Sequence, residues 1–134
     1  MLLPSGATVA VADGEKLSLF RNTGNESHPK LTAMPVSAVG TENAGSGARH
    51  SSSAANPDDN QQSEDGFAAG TADLLNRAVL DGTVKQLVVI AAPRSLGELR
   101  KHYHKSLSAV LLSEISKDLT GHTSADIEKA ILAA

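Results

Sequence analysis

The chain has 134 residues and a formal net charge of −3, and it contains no cysteine. Disulfide bonds, thiolate catalysis and cysteine-ligated zinc sites are therefore excluded. Aromatic residues make up only 2% of the chain, which is too few for the exposed stacking surface of a typical single-strand nucleic-acid binder. The length is that of one domain, residues 1–134, with an aliphatic core.

The first residues predict no export signal. No Lys or Arg precedes Lys16, and Pro4 and Gly6 interrupt the apolar residues, whereas a signal peptide has a basic start followed by an unbroken apolar run. No stretch approaches the roughly 20 apolar residues of a membrane-spanning helix. We therefore expect a cytoplasmic protein without a membrane partner, and the sequence leaves its oligomeric state open.

The first 39 residues are typical of antiparallel strands. Short apolar runs at 7–12 and 16–21 flank the turn signal Asp13-Gly14, which predicts a β-hairpin. A third extended run at 30–39 contains Pro35. Because proline cannot donate to a strand ladder, this run is predicted to be an edge strand or to contain a bulge.

The composition changes between residues 40 and 64. Ser, Gly, Asn, Asp and Gln dominate there, and no aliphatic or aromatic residue larger than Ala occurs. Such a stretch cannot bury enough apolar surface to offset the entropy lost on ordering. We predict a long mobile loop over 40–64, of the kind that is usually functional or disordered.

The second half alternates helix with strand. A stripe of apolar and small residues at helical spacing predicts a helix over 64–80, and the unbroken run at 87–92 predicts a strand covered on both faces. A second helix is predicted over 95–107, opened by Pro93-Arg94-Ser95, with Ser95 and Glu98 at the spacing of a capping box. Its apolar stripe consists of Leu96, Leu99, Tyr103 and Leu107.

The last elements are less sharply defined. Residues 109–115 fit either a final strand or a continuation of the helix, and we choose the strand. Thr123 is suited to cap a last helix whose inward residues are Ile127, Ile131 and Leu132. The predicted order is β-β-β-loop-α-β-α-β-α, an α/β fold in which a mixed sheet is flanked by helices.

Three blocks of sequence carry a resemblance to a known family. Residues 91–107, AAPRSLGELRKHYHKSL, resemble the APPR-x-LGELRK-x-x-HK segment of the bacterial host-attachment protein family. Residues 114–122 resemble its EI-x-KDLT-x-H segment, and residues 11–16 resemble its VADGEKA turn. This family, known as proteins required for attachment to host cells, is grouped with the middle domain of archaeal and eukaryotic peptide release factors.

The resemblance implies the mixed α/β fold of that middle domain, whose catalytic Gly-Gly-Gln lies in a loop before a long helix. The predicted 40–64 loop takes the same place in the element order. It contains Gly45-Ser46-Gly47-Ala48-Arg49-His50-Ser51 instead of Gly-Gly-Gln. A fold can be kept while its chemistry is lost, so we predict no catalytic residue by analogy.

The candidate ligand site is a basic helix. Its residues would contact a phosphate or RNA backbone, because a helix that starts beyond a strand's carboxyl end offers free N–H groups to an anion. Arg94, Lys101 and Lys105 are spaced i, i+7 and i+11, which would place them on one helix face. The alternative is an ordinary solvated face. The predicted anion- or RNA-binding residues are Arg94, Ser95, Arg100, Lys101, His104 and Lys105, with Arg49 and His50 from the loop.

Other site types receive less support from the sequence. His102 and His104 are two residues apart, whereas a helical metal pair needs a spacing of three or four. Asp13 is explained by its turn, and no spacing of acidic residues indicates a magnesium site. We therefore predict no metal and no cofactor.

The sequence thus predicts a non-enzymatic binding module with a translation- or RNA-related role and an indirect effect on attachment to host cells. Its expected partners are RNA, the ribosome or an anionic small molecule. Two alternatives stay open, namely a hydrolase in which the 40–64 loop closes over a substrate, and a direct attachment protein.

Overall fold

A computed structural model of the chain describes residues 2–36 and 57–134. Within them a five-stranded mixed sheet has the strand order β3-β2-β1-β4-β5. The elements are β1 (Thr8–Ala12), β2 (Leu17–Asn22), β3 (Leu31–Met34), α1 (Pro57–Leu80), β4 (Leu87–Ala91), α2 (Pro93–Arg100), α3 (Lys105–Val110), β5 (Leu111–Ser116) and α4 (Ser124–Ala133). The predicted α/β class and element order are confirmed, except that the second helix is divided into α2 and α3.

The first three strands form an antiparallel meander. Thr8 pairs with Arg21 and Ala12 with Leu17 across the β1–β2 hairpin, and β3 pairs with β2 at the edge of the sheet. The predicted hairpin and the edge position of the third strand are both confirmed. The third strand is shorter than predicted, since it ends at Met34, just before Pro35, as expected for a residue without a backbone donor.

The second half adds two parallel strands. β4 pairs with β1 from Thr8↔Leu87 to Ala12↔Ala91, and β5 pairs with β4 beyond an irregularity between Leu87 and Val88. Strands β1, β4 and β5 therefore all end on the same side of the sheet. We call this the carboxyl end of the sheet, and the opposite side, where β1 and β4 begin, the amino end. β4 is completely buried, as predicted for a strand covered on both faces.

Alternation along the strands creates two cores, because successive side chains point to opposite faces of a sheet. One core packs the sheet against α1, α2 and α3, and the other packs it against α4. The first contains Ala10, Leu87, Val89, Leu75, Leu96, Leu99 and Leu107. The second contains Val9, Val11, Val88, Ile90, Ile115, Ile127 and Ile131.

Helix α1 corrects the predicted end of the loop. It begins at Pro57, so residues 57–64 are helical and the boundary at Glu64 is wrong. Proline suits the first helical position, since its fixed φ is already helical and its missing N–H would have no partner there. The rest of the predicted loop, residues 40–56, lies outside the described residues.

Helix α4 confirms one prediction and corrects another. The Thr123 side chain accepts a hydrogen bond from the Asp126 amide, which is the predicted cap. Ile127 and Ile131 are buried as expected, but Leu132 is 41% exposed. One residue further along a helix turns the side chain by about 100°, which carries Leu132 off the buried stripe.

Candidate functional site

The predicted site starts where β4 ends and α2 begins, at the carboxyl end of the sheet. Ala92 is the N-cap of α2, and it makes no side-chain cap hydrogen bond. Ser95 is therefore the third residue of the helix and not its cap, so the predicted capping box is wrong. The helix starts earlier because Pro93 occupies a position where proline is favoured.

This helix start leaves two backbone amides without an acceptor among the described residues. The Leu96 amide donates to the Ala92 carbonyl at 2.9 Å, so it is already used by the first turn. The amides of Arg94 and Ser95 precede it and have no acceptor among the described residues, as is normal at a helix start. The Arg94 side chain is exposed beside them. Arg94 and Ser95 thus form the part of the predicted site that is best suited to an anion.

The basic segment is interrupted after Arg100. The amides of Lys101 and His102 donate to the carbonyls of Glu98 and Leu99, which closes α2 in a tight turn. α3 begins only at Lys105, with His104 as its N-cap in an extended conformation. The prediction of one continuous helix over 95–107 is therefore wrong, and so is the single face shared by Arg94, Lys101 and Lys105.

Asn76 of the neighbouring helix α1 fixes this interruption. Its side-chain amide donates to the His102 carbonyl at 2.9 Å, and its side-chain oxygen accepts from the His104 amide at 3.0 Å. Asn76 is only 2% exposed. Buried polar groups are stable when hydrogen-bonded, and here both bonds hold the chain between α2 and α3. Sequence reasoning missed this residue, because at helical spacing Asn76 falls outside the apolar stripe that predicted the helix and therefore resembles a solvated position.

Two of the predicted cations bind carboxylates within the fold. The Arg100 Nε lies 3.0 Å from Glu114 Oε1 and 3.1 Å from Oε2. Lys101 Nζ lies 2.7 Å from Glu98 Oε1. Both pairs are partly exposed and contribute little to stability, but each offsets the charge that an anionic ligand would meet. Arg100 and Lys101 are consequently poorer candidates than the sequence indicated.

The Arg100–Glu114 pair also involves Tyr103. The tyrosine hydroxyl donates to Glu114 Oε2 at 3.4 Å. Burial, together with the negative charge of Glu114, raises the pKa of Tyr103 well above its usual range. The hydroxyl therefore stays protonated and acts as a donor that orients Glu114 towards Arg100.

His104 and Lys105 are exposed and form no ion pair within residues 2–36 and 57–134. Between residues 92 and 111 the chain returns from the end of β4 to a position beside its start. Lys105 therefore lies further towards the amino end of the sheet than Arg94 does. Arg49 and His50 lie outside the described residues, so they stay predictions.

Two aspartates flank the carboxyl end of the sheet, after β1 and after β5. Asp13 Oδ1 accepts the amides of Glu15 and Lys16 at 2.6 and 2.5 Å, and its Oδ2 accepts the Thr120 hydroxyl at 2.9 Å. Burial raises the pKa of Asp13, but these hydrogen bonds outweigh it and the net pKa is lowered. Asp118 Oδ1 lies 2.7 Å from the same hydroxyl. Asp13 is thus a turn-forming residue, as the sequence indicated.

Residues 2–36 and 57–134 contain no group of three or more His, Cys, Asp or Glu side chains placed to hold a metal ion. No helix in the same ranges is long and apolar enough to cross a membrane.

The model of the bacterial archaeo-eukaryotic release factor family 12 matches residues 6–131. The chain belongs to this family. No curated protein gives a significant match. The match covers every described helix and strand except the last residues of α4, and the mixed sheet flanked by helices agrees with a release-factor-like domain.

Proposed function

We propose that the chain is a translation-related binding module that associates with the ribosome. The observation that carries the proposal is the family match, which spans residues 6–131. A release-factor-like domain acts in the setting of the ribosome, where the accessible surface is dominated by RNA phosphates. Fold alone does not fix a function, so the proposal also needs a surface that can bind phosphate.

The start of α2 supplies such a surface. It combines the unpaired amides of Arg94 and Ser95 with the positive end of the helix dipole, an arrangement that favours phosphate binding. The exposed Arg94 guanidinium adds a charged fork that matches phosphate geometry. Arg100 and Lys101 are engaged by Glu114 and Glu98, and His104 and Lys105 lie beyond the break between α2 and α3, so the proposed contact surface centres on Arg94 and Ser95.

The proposed module binds without hydrolysing peptidyl-tRNA. No two of the 11 glycines are adjacent anywhere in the chain, so the Gly-Gly-Gln sequence of the release-factor mechanism is absent. The competing hydrolase function can be tested with ribosomes carrying labelled peptidyl-tRNA. We expect no release of the peptide above the spontaneous rate, and catalytic release by the wild-type protein would favour the hydrolase instead.

Co-sedimentation with purified ribosomes tests the association. We expect the wild-type protein to pellet with ribosomes in a salt-sensitive manner, because phosphate contacts release counterions on binding. Arg94→Ala should weaken binding and should lower the slope of log affinity against log salt by about 1, as expected for loss of one phosphate contact.

Arg77→Ala is the matched control. Arg77 is also exposed, but it lies on α1 and pairs with Asp73. The Arg77→Ala variant should therefore leave ribosome binding unchanged. The proposal fails if the wild-type protein stays in the supernatant at low salt, and the assigned surface fails if both arginine variants bind equally well.

We further propose that the protein acts in the cytoplasm and that any effect on attachment to host cells is indirect. This follows from the proposed ribosome association, since ribosomes are cytoplasmic. Cell fractionation should find the protein in the ribosomal fraction. Recovery on the cell surface would favour a direct attachment protein.

A further inference from the structure

A second basic feature lies at the amino end of the sheet, away from the start of α2. It is a cleft of about 280 Å³ lined by Gly6, Arg21, Gly82, Thr83 and Lys85. Gly6 precedes β1, Arg21 lies on β2 opposite Thr8, and the other three residues connect α1 to β4. No sequence pattern indicates this cleft, because the residues that line it are separated by up to 79 positions.

The cleft is held in place by bonds between its walls. Arg21 Nη2 donates to the Thr83 carbonyl at 2.7 Å, which joins β2 to the α1–β4 connection. The Gly6 amide donates to the Asn22 carbonyl at 2.8 Å, and the Thr8 amide donates to the Gln86 carbonyl at 2.9 Å. The guanidinium is therefore fixed before any ligand arrives, which reduces the entropy that binding would cost.

Arg21 has unused capacity for hydrogen bonding. Its Nε is buried and has no hydrogen-bond partner within the described ranges. An unpaired buried donor is unusual in a folded protein and calls for an explanation. An anion beside the guanidinium would offset part of the free energy lost when this charged group is partly removed from water. Arg21 would then both join β2 to the α1–β4 connection and bind a ligand.

Lys85 provides the second charge. It is exposed and has no ion pair within residues 2–36 and 57–134. Asp81, the acidic residue of the same connection, does not line the cleft and accepts the Thr83 amide at 2.8 Å. The nearby C-terminus of α1 contributes about half a negative charge, and even together with the Asp81 carboxylate this is less than the two full positive charges of Arg21 and Lys85.

The two glycines keep the cleft open between these cations. Gly6 and Gly82 have φ angles of 85° and 86°, a conformation that residues with a Cβ adopt only with strain. A Cβ built at either position would meet nothing within 4 Å. Glycine is thus required by the backbone turn, and the absence of side chains leaves space for a ligand.

We propose that this cleft binds a phosphate dianion, either free or as the phosphomonoester of a small molecule. Its volume lies just below the roughly 300–1,000 Å³ of typical ligand pockets, which suits a small ligand and not a polymer. The amides of Gly6 and Gly82 bond within the fold, so recognition falls to the Arg21 and Lys85 side chains. A planar guanidinium paired with an ammonium group matches a dianionic phosphate well.

Amide chemical shifts of the full chain provide the test. Inorganic phosphate, glycerol 3-phosphate and sodium chloride are titrated separately at matched ionic strength. We expect saturable shifts at Gly6, Gly82, Thr83 and Lys85 with at least one of the two phosphates. Binding of inorganic phosphate alone would identify the free ion as the ligand, and tighter binding of glycerol 3-phosphate would identify a phosphomonoester.

Lys85→Ala is the decisive variant, since Lys85 is exposed and makes no bond on which folding depends. Loss of one charge-assisted hydrogen bond should weaken phosphate binding about ten-fold. Lys129→Ala removes an exposed lysine from α4 and should leave phosphate binding unchanged. The proposal is overturned if neither phosphate gives saturable shifts at millimolar concentration, or if Lys85→Ala binds as tightly as wild type. Ribosome co-sedimentation should be unaffected by Lys85→Ala, so this result is independent of the ribosome proposal.

Discussion

Asn76 offers the sharpest test of how the basic segment is held. Replacing Asn76 by Ala removes two hydrogen bonds, to the His102 carbonyl and from the His104 amide, at 2.9 and 3.0 Å. A typical hydrogen bond contributes about 0.5–1.5 kcal/mol net, so two of them account for roughly 1–3 kcal/mol. Because the side chain is almost completely buried, water does not easily replace the lost partners, and we expect the upper part of that range.

Urea denaturation followed by circular dichroism measures this effect. Natural domains are stable by about 5–15 kcal/mol, so a loss of about 2–3 kcal/mol lowers the midpoint clearly at an unchanged m-value. Amide hydrogen exchange adds local information. The His104 amide should exchange faster in Asn76→Ala even under conditions in which β4 stays protected, because the two bonds act on the connection between α2 and α3.

Two further variants separate hydrogen bonding from other effects. Arg77→Ala changes the next residue of α1, which is exposed, and should alter stability by less than about 0.5 kcal/mol. Asn76→Asp keeps an acceptor for the His104 amide, but an ionised carboxylate has no donor for the His102 carbonyl. The Asn76→Asp variant should therefore be strongly destabilised at neutral pH. It should regain part of the lost free energy of unfolding as the pH falls and the carboxyl group gains a proton. The reasoning is refuted if Asn76→Ala costs no more than Arg77→Ala.

Two more predictions concern the core and the carboxyl end of the sheet. Leu99→Ala should lower the free energy of unfolding by about 2–5 kcal/mol, because Leu99 is 1% exposed between α2 and the sheet. Arg94→Ala should leave urea denaturation unchanged. Equal effects of the two substitutions would contradict the placement of α2. The pKa of Asp13 is lowered in the folded state from its usual 3.8, so its charge stabilises the fold above about that pH and the benefit is lost as pH falls through the folded pKa. Asp13→Asn should therefore be less stable than wild type at neutral pH, with the difference shrinking below pH 3.8, and a gap that widens in acid would disprove it.

Local sequence patterns determined most of the secondary structure. The apolar runs that became β1 and β4, the Asp13-Gly14 turn and the Thr123 cap each depend on residues within a few positions of one another. Period-two and helical spacing, turn residues and caps act over that range. The order of the elements followed from them, and the parallel pairing of β4 followed from the order.

Which basic residues are paired within the fold depends on contacts between distant parts of the chain. Asn76 reaches across 26 and 28 positions to divide α2 from α3, and Glu114 meets Arg100 across 14 positions. Arg21 reaches the Thr83 carbonyl across 62 positions. No local pattern encodes such contacts, because each forms only when the sheet and helices close on one another. Local sequence patterns therefore set the type and order of the strands and helices, whereas packing set the break between α2 and α3 and the charged groups that are paired within the fold.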